Sequence, residues 1–80
     1  MQVMPRTART SEKAQTQQIL GARLRAARLS AGVSLADMAQ QVGRSVPTIS
    51  RIETGQIALD VHLLLEMAKA LGVSPSVILP

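Results

Sequence analysis

The stretch SLADMAQQVGRSVPTISRIETG, residues 34–55, decides the fold. Its first half places Leu35, Met38, Ala39 and Val42 in one apolar stripe at helical spacing. Ser34 stands just before the stripe and Asp37 follows three positions later, a near capping box with Asp in place of Glu. Gly43 stops this helix after two turns. Ser45 is the next cap, and Pro47 falls within the first turn after it, where a missing N–H breaks no intrahelical bond. Val46, Ile49 and Ile52 recur at intervals of three, and Gly55 ends the second helix. The link Val42-Gly43-Arg44-Ser45 is so short that the two helices meet at a steep angle. The second helix then projects one face outward. With Ile49 and Ile52 turned in, that face carries Val46, Pro47, Ser50, Arg51 and Thr54.

Upstream, Leu20, Leu24, Ala27 and Ala31 mark the inner face of a helix that carries Arg23, Arg25 and Arg28 between them and ends at Gly32. Downstream, Gln56-Ile57-Ala58-Leu59 leads to Asp60, the cap of a fourth helix with Val61, Leu64, Met67, Ala68 and Leu71 inward and Gly72 at its end. Ser74 followed by Pro75 opens a last short helix reaching about Leu79. Five helices and no strand are expected, in a domain spanning residues 19–80. Residues 1–18, MQVMPRTARTSEKAQTQQ, set Arg6, Arg9 and Lys13 against Glu12 alone, and read as a basic flexible arm. From Ser11 onward, Glu, Lys, Ala and Gln also allow the first helix to extend backward.

Composition narrows the function. Eighty residues make one domain, which at this size buries only about 60% of the unfolded chain's surface. A hydrophobic content of 46% with 18% charged residues fits a folded chain rather than a disordered one. All large apolar residues are aliphatic, since Phe, Trp and Tyr are absent, and such side chains suit packing between helices. Without Cys there is no disulfide, zinc-thiolate site or thiol nucleophile, and the lone His62 cannot build a metal cluster. No apolar run is long enough for a membrane span and no signal peptide is evident, so a cytoplasmic protein is expected. Asp37, Glu53, Asp60 and Glu66 are dispersed over caps and surfaces, with no nucleophile–base pair and no phosphate-cradling glycine loop, so no enzyme and no cofactor is expected. The net charge of +4 favours a polyanionic partner, though charge alone is weak evidence.

Residues 34–55 resemble the helix-turn-helix of the lambda-repressor/Cro-like (XRE) family, on Ala39, Gly43, Ile49, Ile52 and the ending Glu53-Thr54-Gly55. The flanks LRAARLSAG and LLLEMAKALGVSPSVIL are similar to the neighbouring helices of that family, so the likeness covers residues 20–79. It implies a five-helix, all-α lambda-repressor-like DNA-binding domain from a bacterium, phage or plasmid, whose second motif helix lies in the major groove. Arg51 is then the leading candidate for base readout, since a guanidinium can bond guanine O6 and N7 together. Val46 and Pro47 would meet thymine methyls, and Thr48 a base edge or a phosphate. Ser34, Arg44 and Ser45 are the candidate phosphate contacts, because helix N-termini and a turn guanidinium both suit anions. Arg6 and Arg9 would contact DNA from the arm, with further help from Arg23 and Arg25.

Two features depart from the family pattern. Many relatives carry Gln where this chain has Leu35, Val46 and Pro47, and several place Lys or Arg in the loop that here reads Gln56-Ile57-Ala58-Leu59. Leu35 cannot bond a phosphate. The resemblance also implies that Arg28 and Glu53 form a structural ion pair rather than a DNA contact. The fourth helix holds more aliphatics than one inner face uses, which makes Leu59, Leu63 and Leu65 dimer-interface candidates. The resulting expectation is a homodimeric repressor binding an inverted repeat in double-stranded DNA. The alternative is a protein-interaction module, an antitoxin or coregulator, that grips a partner through the same apolar face.

Overall fold

The computed structural model describes the backbone of residues 6–80 and the side chains of residues 12–80. Four α-helices and one 3-10 turn make up the described chain: α1 (Arg6–Ser30), α2 (Leu35–Val42), α3 (Val46–Glu53), α4 (Val61–Leu71) and the turn Pro75–Val77. The fifth helix expected from Ser74-Pro75 is thus only a turn. Ser74 does cap it, accepting from the Ser76 N–H, but Leu79 precedes Pro80, and a residue before proline is pushed away from helical backbone. The turn's task is to bring Ile78 fully into the core.

α1 begins at Arg6, well before the apolar periodicity starts, so residues 6–18 of the expected arm are helical in backbone. Residues 12–18 are rich in Gln, Ala, Glu and Lys, which lose little side-chain freedom in a helix, and Thr16 Oγ1 donates back to the Glu12 carbonyl at 3.1 Å. The side chains of Arg6 and Arg9 lie outside the described residues. Farther along, the face that meets the domain carries Leu20, Gly21, Leu24, Ala27 and Arg28, spaced by three and four. Ala31, expected inward, lies past the helix end and is exposed.

α1 packs on α3, α2 packs on both α3 and α4, and α4 packs on the C-terminal turn. The core they share is aliphatic throughout, with Leu24, Met38, Ile49, Ile52, Met67 and Ile78 its largest fully buried members. α4 enters it with four of its five expected inner residues, and with Leu63 in place of Val61. Leu63, Leu64, Met67, Ala68 and Leu71 are buried, whereas Val61 is 73% and Leu65 49% exposed. Leu63, at 3% exposure, belongs to the domain's own core and not to an interface. Asp60 caps the helix as expected, its Oδ1 accepting from the Leu63 N–H at 2.8 Å. Leu59 is half-buried against the core.

Candidate nucleic-acid interface

Each end of the α2–α3 pair is fixed by a side chain that the sequence places there. Ser34 has extended backbone (φ −76°, ψ 162°), and its hydroxyl accepts from the Asp37 N–H at 3.0 Å. Ser45 caps α3 in the same way, accepting from the Thr48 N–H at 3.2 Å. Gly43 between them has φ +68°, a left-handed conformation that costs a residue with a Cβ about 1–2 kcal/mol. From that bend the Arg44 N–H reaches the Ala39 carbonyl at 2.9 Å, which closes α2 and lets α3 leave at a new angle.

α3 divides its residues as its spacing requires. Ile49, Ile52 and Glu53 are buried, Val46, Pro47 and Arg51 are exposed, and Thr48 and Ser50 are half-buried. Among the described residues the Arg51 guanidinium has no hydrogen-bond or ion-pair partner, and Arg44 makes only a long 3.5 Å bond to the carbonyl of its neighbour Gly43. Thr48 is less free than expected. Its hydroxyl pairs with Ser45 Oγ at 2.8 Å, so it is engaged at the cap.

Arg28 and Glu53 meet as the resemblance implies, in a buried two-pronged pair: Nε donates to Oε2 at 2.6 Å and Nη2 to Oε1 at 3.0 Å. The third prong was not foreseen. Nη1 donates to the Val33 carbonyl at 2.9 Å, one residue before the α2 cap. One guanidinium therefore joins α1, the end of α3 and the start of α2, and no buried side-chain polar atom among the described residues lacks a partner. The hydrogen bond to Glu53 raises the Arg28 pKa further above its ordinary value, with burial opposing and the Glu53 charge adding.

An open cleft of about 570 Å³ lies over this pair, lined among others by Arg25 and Leu29 of α1, Leu35 of α2 and Ser50 and Thr54 of α3. It places Arg25 beside the outward residues of α3. Arg23 is turned elsewhere: Nη1 donates to the Leu79 carbonyl at 3.2 Å and ties the C-terminal turn to α1. Of the two arginines expected to help with phosphates, only Arg25 thus shares the α3 side. The loop residues Gln56, Ile57 and Ala58 are exposed. His62 is exposed and lies 2.9 Å from Glu66, an i,i+4 surface pair. Among the described residues no His, Asp and Glu gather as a metal site, and no helix is long and apolar enough to cross a membrane.

Two short helices, a glycine turn, and a second helix clamped from behind with its outer face bare define a helix-turn-helix unit. A family model described as a helix-turn-helix domain matches residues 19–78. The chain belongs to this family, as a DNA-binding protein of the lambda-repressor/Cro-like kind. No curated protein sequence matches it. Among solved structures, it is similar to the clp gene regulator ClgR of Corynebacterium glutamicum, with 32% identity and a TM-score of 0.76 over 79% of this chain and 67% of that one. The restriction-modification controller protein C.AhdI of Aeromonas hydrophila is 27% identical, with a TM-score of 0.73 over 78% of this chain and 94% of that one. The DNA-binding domain of BldD is 30% identical, with a TM-score of 0.75 over 84% of this chain and 97% of that one. The fold is that of a transcriptional regulator.

Proposed function

We propose that this protein is a sequence-specific repressor that binds an inverted-repeat operator as a homodimer, with one α3 in the major groove of each half-site. The observation that carries the reading is the division of α3: its inner residues are buried and locked by Arg28, while Val46, Pro47 and Arg51, which has no partner among the described residues, stand outward. Arg51 reads a guanine, and Val46 and Pro47 lie against thymine methyls. Arg44 and the free N–H groups behind the Ser34 and Ser45 caps hold phosphates, and Arg25 joins them from α1. Thr48 serves first as part of the α3 cap and contacts DNA through it.

Dimerisation is supported by the apolar residues that α4 leaves outside. Val61 and Leu65 are one turn apart on its exposed side, and Ile57 precedes them in the loop. They take the place of Leu63 in the proposed interface. Two recognition helices in such a dimer would lie about 34 Å apart, one turn of DNA.

Selection of duplexes from a randomised pool, at two salt concentrations, tests the proposal. Enrichment of an inverted repeat with two chains per duplex is expected, bound at least about a thousandfold more tightly than random DNA. Uniform weak binding that vanishes as salt rises would mean that charge alone is at work. A single chain per enriched site would overturn the dimer and leave the Val61–Leu65 face to a different protein.

A further inference from the structure

Gly21 lies in the middle of α1 and is buried, a position where glycine weakens a helix and gains nothing by its own conformation. Its neighbours supply the reason. A methyl group on Gly21 would collide with the Ile52 carbonyl oxygen and lie only 2.6 Å from that of Glu53. Both oxygens belong to the backbone of the last turn of α3, which cannot rotate aside as a side chain can. One turn earlier on α1, Gln18 makes a second close approach to the same region. A methyl group on Gly55 would lie 2.7 Å from Gln18 Cγ and 2.9 Å from Gln18 Cα. The end of α3 thus rests on α1 at two glycines, and two turns farther along α1 Arg28 grips Glu53.

We infer that Gly21 is a positioning residue for sequence readout: by letting the α3 backbone seat directly on α1, it sets where the recognition helix stands and hence whether Arg51 reaches its base. Arg51 immediately precedes Ile52, and its own carbonyl accepts from the Gln56 N–H at 2.8 Å, so a displacement of the Ile52 carbonyl carries Arg51 with it. The ion pair fixes the direction of the α3 end, and the glycine contact fixes its distance. This inference rests on the reading of α3 as the helix that recognises sequence.

The test uses the full chain and the duplex that the wild-type protein enriches from a randomised pool, with a scrambled duplex of equal composition as reference. Gly21→Ala is compared with Gly72→Ala, which strains a left-handed residue (φ +69°) that has no atom nearby to displace. Both are measured at a temperature where circular dichroism shows them folded. Gly21→Ala is expected to lower the ratio of specific to scrambled affinity at least tenfold while binding to scrambled DNA persists, and Gly72→Ala to leave the ratio within twofold. A ratio within twofold of wild type for Gly21→Ala overturns the inference alone. If Gly21→Ala does not fold, Gln18→Val presses the same seam from an exposed position. A threefold fall in its ratio supports the inference, and an unchanged ratio overturns it. A wild-type protein that enriches no duplex overturns both the reading of α3 and the inference built on it.

Discussion

Arg28 does more than neutralise Glu53. Its three donors end on α3 and on the carbonyl before the α2 cap, so losing it leaves a buried carboxylate with no partner as well as an unpaired carbonyl. Arg28→Ala and Glu53→Ala should each cost about 3–5 kcal/mol in urea unfolding, whereas replacing both with well-packed apolar residues should be nearly neutral in stability. Because the Arg28 pKa is raised on folding, the guanidinium's contribution is complete below the ordinary arginine value and is lost only as pH rises past the folded value, in strongly alkaline solution. Through the neutral range, Arg28 therefore adds no pH dependence. Arg44 and Arg51 are both exposed, yet their roles should separate cleanly. Arg51→Ala should cost about 1–3 kcal/mol on the selected duplex and relax preference at one base pair per half-site, whereas Arg44→Ala should weaken all sequences alike. Equal losses on selected and random DNA from both changes, measured by gel shift, would refute that division.

At the scale of elements, what could be read in advance was what is local. Ser34, Ser45, Asp60 and Ser74 all cap where the sequence places them, because a cap needs only one side chain and an N–H two or three residues on. The face of α4 could be read so only in part. Leu64, Met67, Ala68 and Leu71 are buried as their spacing places them, but Val61, Leu63, Leu65 and Ala70 fill the rest of the circumference, and the period does not say that Leu63 rather than Val61 completes the buried face. Leu63→Ala should therefore cost about 2–5 kcal/mol of domain stability. Leu65→Ala should stay within about 0.5 kcal/mol for the monomer and weaken self-association, which sedimentation can follow. Gly21 was missed for a related reason: what demands it lies some thirty residues away on α3. Its one advance signal was its presence inside a helix, where it costs about 1 kcal/mol relative to alanine. The loss of the fifth helix to a turn also had a local sign, the proline directly after Leu79.

Taken whole, the molecule is elongated, 48 × 24 × 19 Å, because α1 alone runs 25 residues, about 37 Å at the usual helical rise. The cationic side chains of α1 serve different sides of this body. Arg23 fastens the C-terminal turn, and Arg25 opens onto the cleft beside α3. In a titration of DNA affinity against salt, Arg25→Ala should make the slope shallower by about 1 per chain, and Arg23→Ala should leave it unchanged. A core packed from Leu, Ile, Val, Met and Ala alone also leaves the protein dark in the near ultraviolet. Its absorbance at the usual protein wavelength is negligible and it has no intrinsic fluorescence, so concentration must be measured from the peptide bond. The same darkness is useful to the experimenter. One tryptophan placed at the exposed Ile57 would be the sole emitter in the sample, and any change in its colour with protein concentration would report on the surroundings of that loop.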